Sequence, residues 1–209
     1  MKQIFCIIMA GLIAVGVPAQ NEKYVKAMET AINQLDTTRS EAGLTALSNT
    51  FQRIGDAEKT QWLPYYYAAF SLTMAGWSDA RKDKDANAEK IKALCDKAEA
   101  LDNNSEICAI RNMAATQQML VDPQTRWMTY GQEADAALKN GMQLDPSNPR
   151  LYYLEGAGIF NTPKQFGGGK TKAKPVLEKS LALFNAEKTK PLHPNWSKKQ
   201  AEDMLAQCN

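Results

Sequence analysis

Gly167-Gly168-Gly169-Lys170-Thr171 is the stretch that comes nearest to a chemical motif. A phosphate-binding loop needs a glycine, four residues and then Gly-Lys-Thr or Gly-Lys-Ser, so that successive backbone amides wrap the phosphates. Counting back from Gly169 puts Lys164 where the first glycine should stand, and the segment before it reads as helix rather than strand. The spacing therefore argues for an inter-helix turn. What survives is a helix N-terminus carrying Lys170 and Lys172, which can hold an anion weakly. His193 is the only histidine. It cannot build a multi-histidine metal site and, lying between Pro191 and Pro194, reads as a loop residue. There is no Cys-x-x-Cys pair, and nothing in the spacing of Glu133 or Glu155 sets them apart from ordinary helix-surface carboxylates. No catalytic, cofactor or metal set emerges, so the chain reads as a binding protein and not an enzyme.

Aromatic residues are the best binding candidates. Trp62, Tyr65, Tyr66, Tyr67 and Phe70 fall within one predicted helix. At 100° per residue Trp62, Tyr66 and Phe70 share a stripe, while Tyr65 and Tyr67 face elsewhere. Three consecutive tyrosines are not expected to be buried together in a simple hairpin, so at least one should present its hydroxyl to a partner. Tyr152-Tyr153 repeats the situation further on. The expected partner surface comprises Tyr65, Tyr66, Arg111, Tyr152 and Lys170.

The elements that would carry these residues are helical. Runs rich in Ala, Leu, Lys, Glu and Gln recur with 3.6-residue periodicity, which predicts nine helices at about 22–36, 40–56, 62–76, 86–101, 105–120, 124–144, 148–160, 169–185 and 195–207. Pro64 suits an early helical position, Ser105 an N-cap, and Asn195 or Ser197 the cap of the last helix. The mixed charges between Asp79 and Lys90 look like a solvated surface.

The first residues have the layout of a cleavable secretory signal. Met1-Lys2 is positive, Ile4 to Val17 is apolar, and Val17-Pro18-Ala19 offers small residues before a polar turn. The apolar run is short for a membrane span of roughly 20 residues, and Cys6 lies too early for a lipoprotein. Cleavage after Ala19 leaves a single domain, 20–209, with 24 basic against 23 acidic residues once Lys2 is lost. Near-neutrality gives no reason to expect nucleic acid, and no later segment is apolar enough to span a membrane. A periplasmic or secreted protein can carry a disulfide. Cys95 and Cys108 flank the Asp102-Asn103-Asn104 turn and can either meet across a hairpin or serve as small core residues, with Cys208 left over.

A repeat underlies this pattern. Leu101-Asp102-Asn103-Asn104-Ser105 and Leu144-Asp145-Pro146-Ser147-Asn148 are near-copies 43 positions apart. Ala134, Leu138 and Gly141 precede the second copy as Ile91, Cys95 and Ala98 precede the first, and Ala173, Leu177 and Ser180 repeat the spacing. Tyr152, Gly156 and Ile159 match Tyr65, Ala69 and Leu72: an aromatic anchor, a small residue four on, and an apolar residue three further.

On these residues the chain resembles the tetratricopeptide repeat (TPR) family across roughly residues 60 to 185. The units are longer than the usual 34 residues, and tyrosine stands in the place of the family's tryptophan. Trp62-Leu63-Pro64-Tyr65-Tyr66-Tyr67-Ala68-Ala69 and Pro163-Lys164-Gln165-Phe166-Gly167-Gly168 are similar to stretches of exported TPR-like proteins of Gram-negative bacteria. The resemblance implies an all-α, right-handed superhelical stack of about four antiparallel hairpins with a C-terminal capping helix. It also implies a concave face that binds an unknown protein or peptide. The alternative is a small-ligand carrier or an accessory subunit of a solute-uptake system, since some exported TPR-like proteins accompany such systems.

Overall fold

The computed structural model describes residues 22–208, so the expected signal segment and its cleavage site lie outside the described residues. Within them the chain is helical, with no strand. The α-helices are α1 (Glu22–Thr37), α2 (Glu41–Glu58), α3 (Leu63–Ser78), α4 (Lys84–Glu99), α5 (Ser105–Met119), α6 (Pro123–Arg126), α7 (Gln132–Leu144), α8 (Pro149–Asn161), α9 (Lys170–Ala186) and α10 (Lys198–Ala206). All nine expected helices are present. The expected sixth, 124–144, consists of α6, a π-helical turn at Trp127–Gly131, and α7.

Local chemistry explains where the helices begin. The Ser40 hydroxyl accepts from the Gly43 amide, the Asp83 carboxylate from Asp85 and Ala86, and the Asn148 side chain from Arg150, each satisfying an otherwise orphan donor. Asn104, not the expected Ser105, caps α5 through the amides of Glu106 and Ile107. Ser105 instead accepts at 2.9 Å from the Asn148 amide nitrogen, which ties the two near-copied turns together. Ser197 precedes α10 at φ 75° with no side-chain cap bond.

Successive helices pack as antiparallel hairpins, with α2 on α3, α3 on α4, α4 on α5, α5 on α7 and α8 on α9. Small residues set the crossings. A side chain at Gly156 would strike Leu177 at 2.7 Å, one at Gly141 would meet Cys108 and Leu151 at 2.9 Å, and one at Gly55 the Tyr65 ring at 2.8 Å. These are the small positions of the repeat pattern or their equivalents, and they let large neighbours fill the groove.

α3 is the centre of the molecule and is buried nearly all round, from Leu63 to Thr73 without interruption. Its neighbours are α1, α2, α4 and α5 on one side and, on the other, a non-helical strap, residues 187–197, which returns from the end of α9. All three of Tyr65, Tyr66 and Tyr67 are therefore buried. The expectation that one of them reaches solvent fails because the helix is covered by the strap as well as by its hairpin partners.

Candidate functional site

The stripe on α3 has the geometry its spacing requires. Trp62 and Tyr66 meet edge-on at 5.5 Å, Tyr66 and Phe70 stack at 6.3 Å, and Phe70 stacks on Trp196 of the strap at 5.2 Å. The strap is fastened along this stripe. His193 meets Trp62 edge-on at 5.7 Å, the Tyr67 hydroxyl donates to the Leu192 carbonyl at 2.9 Å, and the Trp196 indole donates to the Tyr66 hydroxyl at 2.7 Å.

Behind the strap lies Arg150, wholly buried at the first turn of α8. Its guanidinium pairs with Glu106 at 3.1 Å and Glu187 at 2.6 Å, and donates to the Pro194 carbonyl. It also lies over the rings of Phe184 and Trp196. Asn148 donates to the same Glu106 oxygen at 2.9 Å. The other Glu106 oxygen has no hydrogen-bond partner among the described residues. Burial pushes the Glu106 carboxyl up to about 7, against the pull of Arg150. One cation thus joins α5, α8 and the strap. Nothing in the sequence reading singled out Arg150, Glu106, Glu187 or Trp196; the one local signal is an arginine set between Pro149 and the apolar Leu151-Tyr152.

Where strap and α1 approach each other they leave an open groove of about 350 Å³. Glu29, Ile32 and Asn33 of α1, Tyr67 of α3, and residues 189–193 with Asn195 of the strap line it, so that polar side chains outnumber apolar ones. A second depression of about 390 Å³ adjoins it across Asn195 and reaches Asp36 and Trp196. His193 is partly buried, and its own burial, then Lys190, holds it below the ordinary histidine range.

The residues expected to form a partner surface are dispersed. Tyr65 donates to Asp56 at 2.8 Å under Lys97, and burial with Asp56 pushes its phenol up to about 12. The Tyr66 hydroxyl is the acceptor for Trp196, and the Tyr152 hydroxyl donates to the Pro146 carbonyl at 3.0 Å, with Lys179 over the ring. Arg111 binds Asp96 and Glu99, each at 2.6 Å. Lys170 is exposed at the start of α9, near the Phe160 ring. These five side chains do not converge on one surface.

The glycine run behaves as its spacing indicated. The amides of Gly167, Gly168 and Gly169 donate to the carbonyls of Lys164, Pro163 and Ile159, so they are spent on the turn and do not face an anion. Cys95 and Cys108 are free thiols, both buried. Cys108 faces α7, where Asn140 donates to its sulfur at 3.6 Å. The pair occupies core positions. Among the described residues no group of three or more His, Cys, Asp and Glu could hold a metal ion, and no helix is long and apolar enough to cross a membrane.

Away from the strap, Leu120, Val121, Trp127 and Met128 form an exposed apolar corner around α6 and the π-helical turn. Trp127 lies back on Gly131, where a side chain would meet the indole at 2.4 Å.

No protein-family model matches the chain, and no curated protein matches it. Among solved structures it is similar to the HusA haemophore from Porphyromonas gingivalis. The two share 34% sequence identity over 91% of this chain and 94% of that one, with a TM-score of 0.82. Identity of that order, sustained across nearly the whole of both chains, makes this protein a member of the HusA haemophore family.

Proposed function

We propose that this protein is a non-catalytic haem carrier that works outside the cytoplasm. The observation that carries the reading is the near-complete coverage of a haemophore at 34% identity. The secretory layout expected of residues 1–19 agrees with work outside the cytoplasm. The stacked hairpins and their small-residue crossings support a TPR-like ancestry, with the strap packed on α3. Burial of Tyr65, Tyr66 and Tyr152 favours the small-ligand carrier over a peptide-binding scaffold.

The test is titration of ferric haem into the purified protein, followed by Soret absorbance and tryptophan quenching. Saturable uptake at a fixed stoichiometry is expected. Only the linear signal of free or aggregated haem would remove the reading.

A further inference from the structure

We propose that the turn at 163–167 and the start of α9 form a docking surface for an anionic lipid bilayer. Phe166 enters the interface, and Lys164, Lys170, Lys172 and Lys174 meet the headgroup phosphates. The surface shares no residue with the strap or its grooves, and its use does not depend on the cargo.

Charge is concentrated here. From Gly156 to Leu177 the chain has four lysines and no Asp or Glu, although its net charge over 209 residues is only +2. Among the described residues none of the four pairs with a carboxylate. A lysine free to approach an anionic leaflet strengthens binding about fivefold. Phe166 supplies the apolar part. It is 75% exposed, more than any other large hydrophobic side chain described. A basic surface that also presents an aromatic ring is the composition that settles in a bilayer interface. The ring is held out by a built turn. Pro163 to Gly167 are all exposed, the Phe166 amide donates to the Pro163 carbonyl at 2.9 Å, and Gly167 and Gly169 take φ 91° and 103°. The lysines gather around it. A side chain at Gly169 would meet the Lys164 stem at 2.8 Å, and one at Gly167 would lie 3.9 Å from the Lys172 ammonium.

The apolar corner around α6 is the contrast. Asp122 stands beside Leu120 and Val121 there, and Arg126 is neutralised by Asp85 at 2.8 Å, so that corner does not suit an anionic surface. A folded partner is the poorer match for the Phe166 turn. Stable protein interfaces take about 800 Å² from each side, and one ring on a protruding turn offers far less, whereas a bilayer accepts a single inserted side chain and a spread of charges.

The protein, recovered after export, is sedimented with vesicles of phosphatidylcholine and with vesicles of equimolar phosphatidylcholine and phosphatidylglycerol. Phe166→Ala, Phe166→Trp, Lys170→Glu/Lys172→Glu and Trp127→Ala/Met128→Ala are compared with it. All these side chains are exposed, so circular dichroism should show each variant folded. The wild type should prefer the anionic vesicles and be released by salt, with inorganic phosphate competing no better than chloride at equal ionic strength. The lysine reversal should weaken anionic binding at least about tenfold, and Phe166→Ala at least about threefold. Phe166→Trp should keep binding, and its emission should move to the blue on anionic vesicles. The Trp127/Met128 variant should match the wild type. Equal sedimentation with both kinds of vesicle, or with neither, overturns the proposal. So does anionic binding that survives the lysine reversal, or that is lost in the Trp127/Met128 variant. Unchanged binding by Phe166→Ala with no shift in Phe166→Trp also overturns it, since attraction by charge alone fits an acidic protein instead.

Discussion

Trp196 donates its indole N–H to the Tyr66 hydroxyl at 2.7 Å across 130 positions of sequence. The bond sits among ring contacts with Phe70 and Arg150, so it pins the strap to the centre of the fold. Trp196 is partly buried, so Trp196→Ala should cost about 2–4 kcal/mol, somewhat below the range for a fully buried aromatic. Tyr66→Phe removes only the hydroxyl and should cost about 1–2 kcal/mol. Urea unfolding of both variants checks the order; equal costs would mean that the ring packing contributes little.

Arg150 should be the most sensitive single polar position. Arg150→Met keeps much of the volume but leaves Glu106 and Glu187 facing each other without their shared cation. Breaking one partner of a buried ion pair costs about 3–5 kcal/mol. Chemical denaturation measures it, and a loss below about 1 kcal/mol would show that water reaches the site freely.

Glu106 predicts a pH dependence with a definite sign. In the folded chain its carboxyl is pushed up to about 7, while its ordinary value is 4.5. The folded state therefore binds more protons between those values, and the group's contribution to stability is lost as pH rises through 7. His193, held below the ordinary histidine range, works the opposite way: its contribution is lost as pH falls below about 6.5. The comparison of wild type with Glu106→Gln isolates the first effect. The variant should gain on the wild type from pH 4.5 to 7.5, and a constant difference across that window would refute the assignment.

Two glycines should respond in opposite directions. A side chain at Gly168 would lie 2.2 Å from the Thr162 carbonyl oxygen and 2.6 Å from that of Ile159. Backbone must move to relieve this, so Gly168→Ala should destabilise by about 1–3 kcal/mol. Gly158 lies inside α8 and meets nothing within 4 Å. Gly158→Ala should stabilise by about 0.5–1 kcal/mol through helix propensity. Thermal melts of the pair decide both.

Thiol labelling should sort the cysteines of the described chain. Burial pushes the Cys95 thiol up to about 12, and Cys108 shifts in the same direction. Both should resist iodoacetamide in the native protein, while Cys208, near the C-terminus and partly exposed, reacts. All three should label after unfolding without reductant; recovery of one alone would establish a Cys95–Cys108 bridge.

The helices were legible because their signals are local. Asn104, Asp145-Pro146 and Asn148-Pro149 mark their ends within a few residues, and Gly141 and Gly156 mark crossings by being small. The strap was not legible, because its partners are far off in sequence. Tyr67 and Leu192 are 125 positions apart, and Arg150 and Pro194 are 44 apart. No periodicity reports such pairings. His193 looked like a plain loop residue since its setting depends on Trp62 and on the groove wall of α1. The three adjacent tyrosines misled for the same reason, as their burial needs a cover that the local pattern of α3 does not announce.

An open row of repeats unravels from its ends, unit by unit, since each contacts only its neighbours. Here the last ordered stretch before α10 is fastened to the third helix of the row. The stack thereby becomes a closed circuit with its C-terminal part anchored at the middle. Fraying at that end must first break the circuit at Arg150 and Trp196, which couples the distant hairpins. Melting becomes cooperative across the hairpins that the strap connects, and slow amide exchange extends into α8 and α9 instead of fading toward the C-terminal end.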